Sequence, residues 1–237
     1  MMRLLFFAAF AWAWGALAGQ IPPSTEWTLA ELIGLNEPSR DPAFAPIPPS
    51  HASREGLYLR TSARDAFLEM AAAAERDGIH LVAVSAARNF AYQNGIWNRK
   101  WARPQYAGWS DVEKARDILK YSAMPGSSRH HWGTEIDLNS LENDYFTSGE
   151  GRAVAAWLEA HAASFGFHLV YTADPQRPGY LPERWHWSYM PLSAPMLAAY
   201  NECVELSVLQ DLEVAGMAWA DSLRILTDFV NGIDAGH

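Results

Sequence analysis

Four β-prone runs, His80–Ser85, Thr134–Leu138, Phe167–Tyr171 and Trp185–Tyr189, are each only five or six residues long, and the stretches between them share no common length. Helical patterns fall among them without the strand–helix–strand rhythm of a parallel, doubly wound sheet. The mixture predicts an α+β fold with a small, mainly antiparallel sheet flanked by helices. The chain has 237 residues, 49% of them hydrophobic, enough to bury a sizeable core. That core must hold without crosslinks, because the single cysteine, Cys203, excludes a disulfide scaffold and any Cys-based metal cluster. Acidic residues outnumber basic ones by 27 to 18, a net charge of -9, which argues against a partner gripped through nucleic-acid phosphates.

Along the chain, Arg3 precedes an uncharged apolar run from Leu4 to Ala18, and Ala16-Leu17-Ala18 offers a small-x-small cleavage site. The run is shorter than the ~20 residues that span a bilayer. Residues 1–18 therefore read as a signal peptide, and the chain as secreted or periplasmic with no stable membrane insertion. Residues 19–50 carry seven prolines, Pro22 to Pro49, and read as a Pro-rich linker with one short helix at Leu29–Leu35. A domain over residues 51–190 follows. Its first helix starts at Thr61, carries an apolar stripe at Ala66, Phe67, Met70, Ala71 and Ala74, and stops at Gly78. Ala91–Lys100 is helical, Ser110 with Glu113 makes a capping box for a helix to about Tyr121, and Arg152–Ser164 is a helix ended by Gly166. Residues 191–237 form a helical C-terminal extension of two amphipathic helices.

The chemistry concentrates in two segments. The first is Ser128-Arg129-His130-His131-Trp132-Gly133-Thr134-Glu135-Ile136-Asp137, and the second is Glu183-Arg184-Trp185-His186-Trp187. Imidazole and carboxylate suit Zn²⁺, and a catalytic zinc keeps three protein ligands and one open position. His130 and Asp137 could converge on one ion, with His186 arriving from a neighbouring strand. Glu183, three residues ahead of His186, could then act as a base without being a ligand. The same residues also fit a hydrogen-bonded cluster with the Trp-His-Trp run in the core, and residue chemistry alone does not choose between His130 and His131. The tryptophans, among them Trp97, Trp101, Trp109 and Trp132, fit a core as well as a peptide groove. His51, His80, His161, His168 and His237 match no motif position.

These segments resemble the zinc D-alanyl-D-alanine carboxypeptidases of the VanY-like group, whose pattern is S-x-H-x-x-G-x-A-x-D followed by E-x-x-H. Here the first reads Ser128, His130, Gly133 and Asp137, and the second Glu183 and His186. Upstream, Ser85, Arg88 and Gln93 resemble that family's S-G-Y-R-S-x-x-x-Q element, and the likeness runs from about Leu57 to Tyr189. Two departures stand out: Glu135 where a small Ala is usual, and Ala86-Ala87 where Gly-Tyr is usual.

The resemblance implies a hedgehog/DD-peptidase-like fold and one Zn²⁺ held by His130, Asp137 and His186, with His131 at a variable position. It implies Glu183 as the base that activates a zinc-bound water, with Arg88, Gln93 and Ser128 in the substrate pocket. The implied reaction is hydrolysis of the terminal D-Ala-D-Ala bond of peptidoglycan stem peptides. The same zinc site could instead serve an L,D-carboxypeptidase or a peptidoglycan endopeptidase. A catalytically silent wall-peptide-binding module is the alternative outside enzymes, and Glu183 speaks against it, since a pure binding site needs no base beside the metal.

Overall fold

A computed structural model describes residues 26–234; the signal-peptide reading of residues 1–18 and the start of the linker lie outside the described residues. A short helix, α1 (Leu29–Leu32), is followed by an antiparallel ribbon of β1 (Phe44–Pro46) and β2 (Tyr58–Arg60), which runs directly into α2 (Thr61–Arg76). Ala63, Phe67, Met70, Ala71 and Ala74 recur at helical spacing along α2 and are all buried. The helix ends where Gly78 takes a left-handed φ of 75°, the conformation that glycine adopts without a Cβ clash. Next come β3 (Ala83–Ser85), α3 (Phe90–Trp101) and α4 (Asp111–Ile118), the last opened by the Ser110 N–H donating to Glu113 Oε2 at 2.8 Å. Then follow β4 (Glu135–Leu138), α5 (Gly149–His161), β5 (Phe167–Leu169), β6 (His186–Tyr189) and α6 (Met190–Cys203).

The main sheet has the order β3-β4-β6-β5, with every neighbouring pair antiparallel. The α+β class with a small antiparallel sheet is therefore as expected. Register makes one face apolar: Ile136 lies opposite Trp187, and with Leu138 they pack on Phe67 and Met70 of α2 and on Val154 and Leu158 of α5. Each such fully buried side chain contributes roughly 1.5–3 kcal/mol of transfer free energy. The other face carries Glu135 and Asp137 on β4 and His186 and Ser188 on β6, because side chains alternate along a strand. All four are buried, so this alternating strand is covered on both sides.

Two segments differ from expectation. Where an extended linker is expected up to residue 50, the described part is docked: Trp27, Leu32, Ile33, Phe44 and Ile47 are buried. The tail is not two regular helices. It consists of α6, a short α7 (Leu206–Gln210) and single irregular turns, the last a π-type turn at Ile225–Val230. Together these segments build a second core, in which Leu32 and Ile33 meet Trp97, Trp132, Met196 and Tyr200.

Candidate metal centre

The sheet register supplies the first two residues of the site, since Asp137 of β4 pairs with His186 of β6. The His186 Nδ1 lies 3.0 Å from Asp137 Oδ1. His130 comes from the 3-10 turn Arg129–Trp132 just before β4, with its Nε2 3.4 Å from Asp137 Oδ2 and its ring centroid 4.9 Å from that of His186. The turn closes on Gly133, whose φ is 71°; a Cβ there would also overlap the Phe44 ring. That close approach gives the motif glycine its physical reason.

The donor set fits a zinc-type ion. The His130 Nδ1–H donates to the Ala86 carbonyl at 2.8 Å, and a carbonyl only accepts, so the lone pair sits on Nε2. That lone pair faces a carboxylate oxygen, an arrangement that calls for a cation between them. One ligand atom each from His130, Asp137 and His186 lies within 4.8 Å of the others, and all three residues are buried. Burial pushes the His130 pKa down and Arg88 adds to it, keeping the ring neutral as a ligand must be. Burial alone would raise the Asp137 pKa, but the hydrogen bond and charge of His186 outweigh it and hold the carboxyl ionised.

His131 is turned to other work. Its Nδ1–H donates to the Arg88 carbonyl at 2.7 Å, and its Nε2 accepts the Gly126 N–H at 3.1 Å. Burial lowers its pKa to about 3, so it bridges two loops as a neutral ring.

Glu135 occupies a place that the motif leaves to alanine. Its Oε2 accepts from His186 Nε2 at 2.9 Å, which leaves Nδ1 as the atom that faces Asp137. Its Oε1 accepts from Ser188 Oγ at 2.8 Å and lies 3.1 Å from Arg129 Nη2, both charged side chains being fully buried. Arg129 also donates to Ser188 Oγ at 3.0 Å and stacks over the Trp132 ring, 4.7 Å from its centroid. Burial acts to raise the Glu135 pKa, yet Arg129 and His186 bring it down to about 2. Burial likewise acts against a charged His186, but its bonds to Asp137 and Glu135 raise its pKa to about 9. Carboxylates that hold a ligand imidazole in this way fix its orientation and raise its basicity.

A cavity of about 650 Å³ opens over these groups. Glu183 lines it, with Oε2 3.9 Å from His186 Nδ1, and burial raises its pKa to about 7. Arg88 reaches in beside Asp137, Nη1 to Oδ2 3.8 Å, steadied by its bond to Ser85 Oγ at 2.9 Å. The buried Arg88 Nε and Ser128 Oγ have no protein partner. Gln93 is also in the wall, but its Nε2 is engaged with the Ala123 carbonyl at 2.8 Å and only its Oε1 is unpartnered. All seven residues singled out from the sequence therefore border this cavity. Sequence reasoning missed Arg129, Tyr171 and Tyr180 in its wall. Tyr180 has a buried, unpartnered hydroxyl, and Tyr171 lies with its ring centroid 4.5 Å from that of His186. Gly179-Tyr180 ahead of Glu183 was the available signal for the former.

An antiparallel sheet presenting a buried two-histidine, one-carboxylate centre, with a second carboxylate poised beside it, defines the class. The chain belongs to the VanY D-alanyl-D-alanine carboxypeptidase family, whose model matches residues 56–192. It is 28% identical over 123 residues to the D-alanyl-D-alanine carboxypeptidase of Enterococcus faecalis (strain ATCC 700802 / V583), covering 52% of this chain and 44% of that protein. The chain spans about half the length of the curated relatives it matches. Its fold is similar to that of the LdcB LD-carboxypeptidase, with TM-score 0.51 and 22% identity over 70% of this chain and 79% of that one. It is similar also to VanYB in complex with D-alanine-D-alanine, with TM-score 0.50 and 23% identity over 71% and 94%.

Proposed function

We propose that this protein is a zinc-dependent D,D-carboxypeptidase that removes the terminal D-alanine from peptidoglycan stem peptides outside the cytoplasm. The observation that carries the reading is the convergence of His130, Asp137 and His186 in one buried cluster, with Glu183 beside it in a cavity that also takes Arg88. Membership of the family and the D-alanyl-D-alanine carboxypeptidase relative support the substrate class. The signal-like residues 1–18 support export, and no described helix is long and apolar enough to cross a membrane.

When bound by His130, Asp137 and His186, a Zn²⁺ supplies Lewis acidity and brings the pKa of water down to ~7. The chain's own residues do the rest. Glu183, with a pKa near 7, is matched to accept a proton from the attacking water and to return it to the leaving amine. The water oxygen bonds to the carbonyl carbon, the amide C–N bond breaks, and the free amine of D-alanine departs. Arg88 offers a fork of donors to the substrate carboxylate or its carbonyl oxygen, and the free Ser128 hydroxyl adds another hydrogen bond. Tyr180 stays protonated, since burial raises its pKa, and so remains a donor in the cavity wall.

The test is mass spectrometry of muropeptides digested with and without a chelator, for the parent protein and for Glu183→Gln. The parent should shorten pentapeptides ending in D-Ala-D-Ala by one alanine only when metal is present. The variant should keep its zinc and lose the cleavage. Cleavage by Glu183→Gln at the parent rate would overturn the mechanism, and products cut only at an L,D or an internal bond would overturn the substrate assignment.

A further inference from the structure

We propose that His51, Glu75 and His80 form a second metal site, for a divalent transition ion such as Zn²⁺, made of residues that take no part in the cavity described above. Glu75 lies in the last turn of α2, where the unpaired carbonyl ends of the helix favour a positive charge. The left-handed turn at Gly78 sends the chain back, so that the His80 Nδ1 contacts Glu75 Oε1. His51 approaches from a different segment, the 3-10 turn Pro49–His51. Its ring is already oriented: Nδ1–H donates to the Leu81 carbonyl at 3.2 Å, and the ring meets Phe67 edge-on at 6.2 Å between centroids. Because the carbonyl only accepts, the proton sits on Nδ1 and the lone pair on Nε2. Hydrogen bonding of one ring nitrogen to a backbone carbonyl is how a metal-binding histidine is usually aimed.

The His51 and His80 ring centroids are 5.6 Å apart, and one ligand atom from each of the three residues lies within 4.8 Å of the others. Two imidazoles and a carboxylate are the donor set of the buried centre too, and they suit the same class of ion. The difference is exposure, 51% for the His80 side chain and 48% for Glu75, so the ion here exchanges with solvent and binds more weakly. A bound ion would clamp three separate segments: the 3-10 turn, the end of α2 and the approach to β3. Ala52, next to His51, already bridges to Ala83 of β3, the strand that leads to Arg88. The clamp therefore acts on the strand that leads to Arg88, and its occupancy should appear as added stability of the folded state.

The experiment is a Zn²⁺ titration of the metal-stripped full chain, read by calorimetry and by metal analysis of protein equilibrated against buffer of known free Zn²⁺. The wild type should bind two ions, one tightly and one more weakly. His130→Ala should lose the tight ion and keep the weak one, whereas His80→Ala and Glu75→Gln should each lose the weak ion and keep both the tight ion and peptide hydrolysis. A wild type that takes up a single ion, or a weak ion that survives in both His80→Ala and Glu75→Gln, would overturn the assignment. An ordinary hydrogen bond between Glu75 and His80, with no metal, predicts the first of these results.

Discussion

Glu135→Ala should damage folding and metal binding together, and a second substitution should repair only one of them. In the native protein the Arg129 guanidinium and the Glu135 carboxylate meet at 3.1 Å with side-chain exposures of 1% and 0%. Removing the carboxylate leaves a buried cation unpaired, which costs about 3–5 kcal/mol. Removing both charges, in Arg129→Met/Glu135→Ala, replaces a buried ion pair by apolar groups, a change that is often close to neutral. Metal affinity follows a different rule. The His186 Nε2–H loses its acceptor at 2.9 Å in the single and the double variant alike. Loss of such an orienting partner lowers metal affinity about 10–100-fold. Urea unfolding of the chelator-treated proteins measures the first quantity, and competition against a zinc-binding dye measures the second. The double variant should recover most of the stability and none of the affinity. If it regains wild-type zinc affinity, Glu135 is only the counter-ion of Arg129; if the single variant unfolds like the parent, the pair does not matter to the fold.

Two further outcomes follow from the buried titratable groups. The Glu183 pKa is raised from 4.5 to about 7, so its contribution to stability is full below 4.5 and is lost as the pH rises through 7. Metal-free wild type should therefore lose on the order of 3 kcal/mol relative to Glu183→Gln across that window, as pH-dependent urea midpoints would reveal. His131→Ala strands the Arg88 carbonyl and the Gly126 N–H, at about 1–3 kcal/mol for each unpaired group. That variant should unfold more easily yet retain zinc in a titration, whereas His130→Ala should lose zinc; the reverse pattern would exchange the two assignments.

Much of the sheet and the centre was legible because strand alternation is local. Ile136 between Glu135 and Asp137 marks a strand, and Asp137 and His186 share a face once their strands pair. What alternation could not reveal is that the polar face is as dry as the apolar one, because burial is decided by what covers the strand. Glu135 shows the limit well. Read as a letter, it is an acid where a small residue belongs. Its meaning depends on Arg129 six residues earlier and on Ser188 and His186 on another strand, contacts that exist only after folding. The proline-rich stretch before residue 50 was opaque for a related reason. Its composition reads as extended chain, but Trp27 and the adjacent Leu32 and Ile33 gain a core only from distant partners.

The C-terminal extension gains a physical role by the same route. The match to the family model ends at residue 192, yet the chain beyond it fills the space behind the loop that leads into the centre. The Tyr200 hydroxyl donates to the Gly126 carbonyl at 2.9 Å, and Leu209 and Leu212 lie so close to Gly126 that a Cβ there would meet them. Trp97 of α3 donates its indole N–H to the Ala215 carbonyl at 2.8 Å. Gly126 in turn donates to His131, whose neighbours in sequence are the candidate ligand His130 and the buried Trp132. A catalytic cluster keeps its geometry only if the groups around it are themselves fixed by packing and hydrogen bonds. Tyr200, Gly126 and His131 form such a chain of support, running from the extension to within one residue of His130. The tail also packs Phe229 against the Tyr180 ring of the cavity wall, 5.0 Å between centroids, so it supports the surroundings of the centre at more than one place.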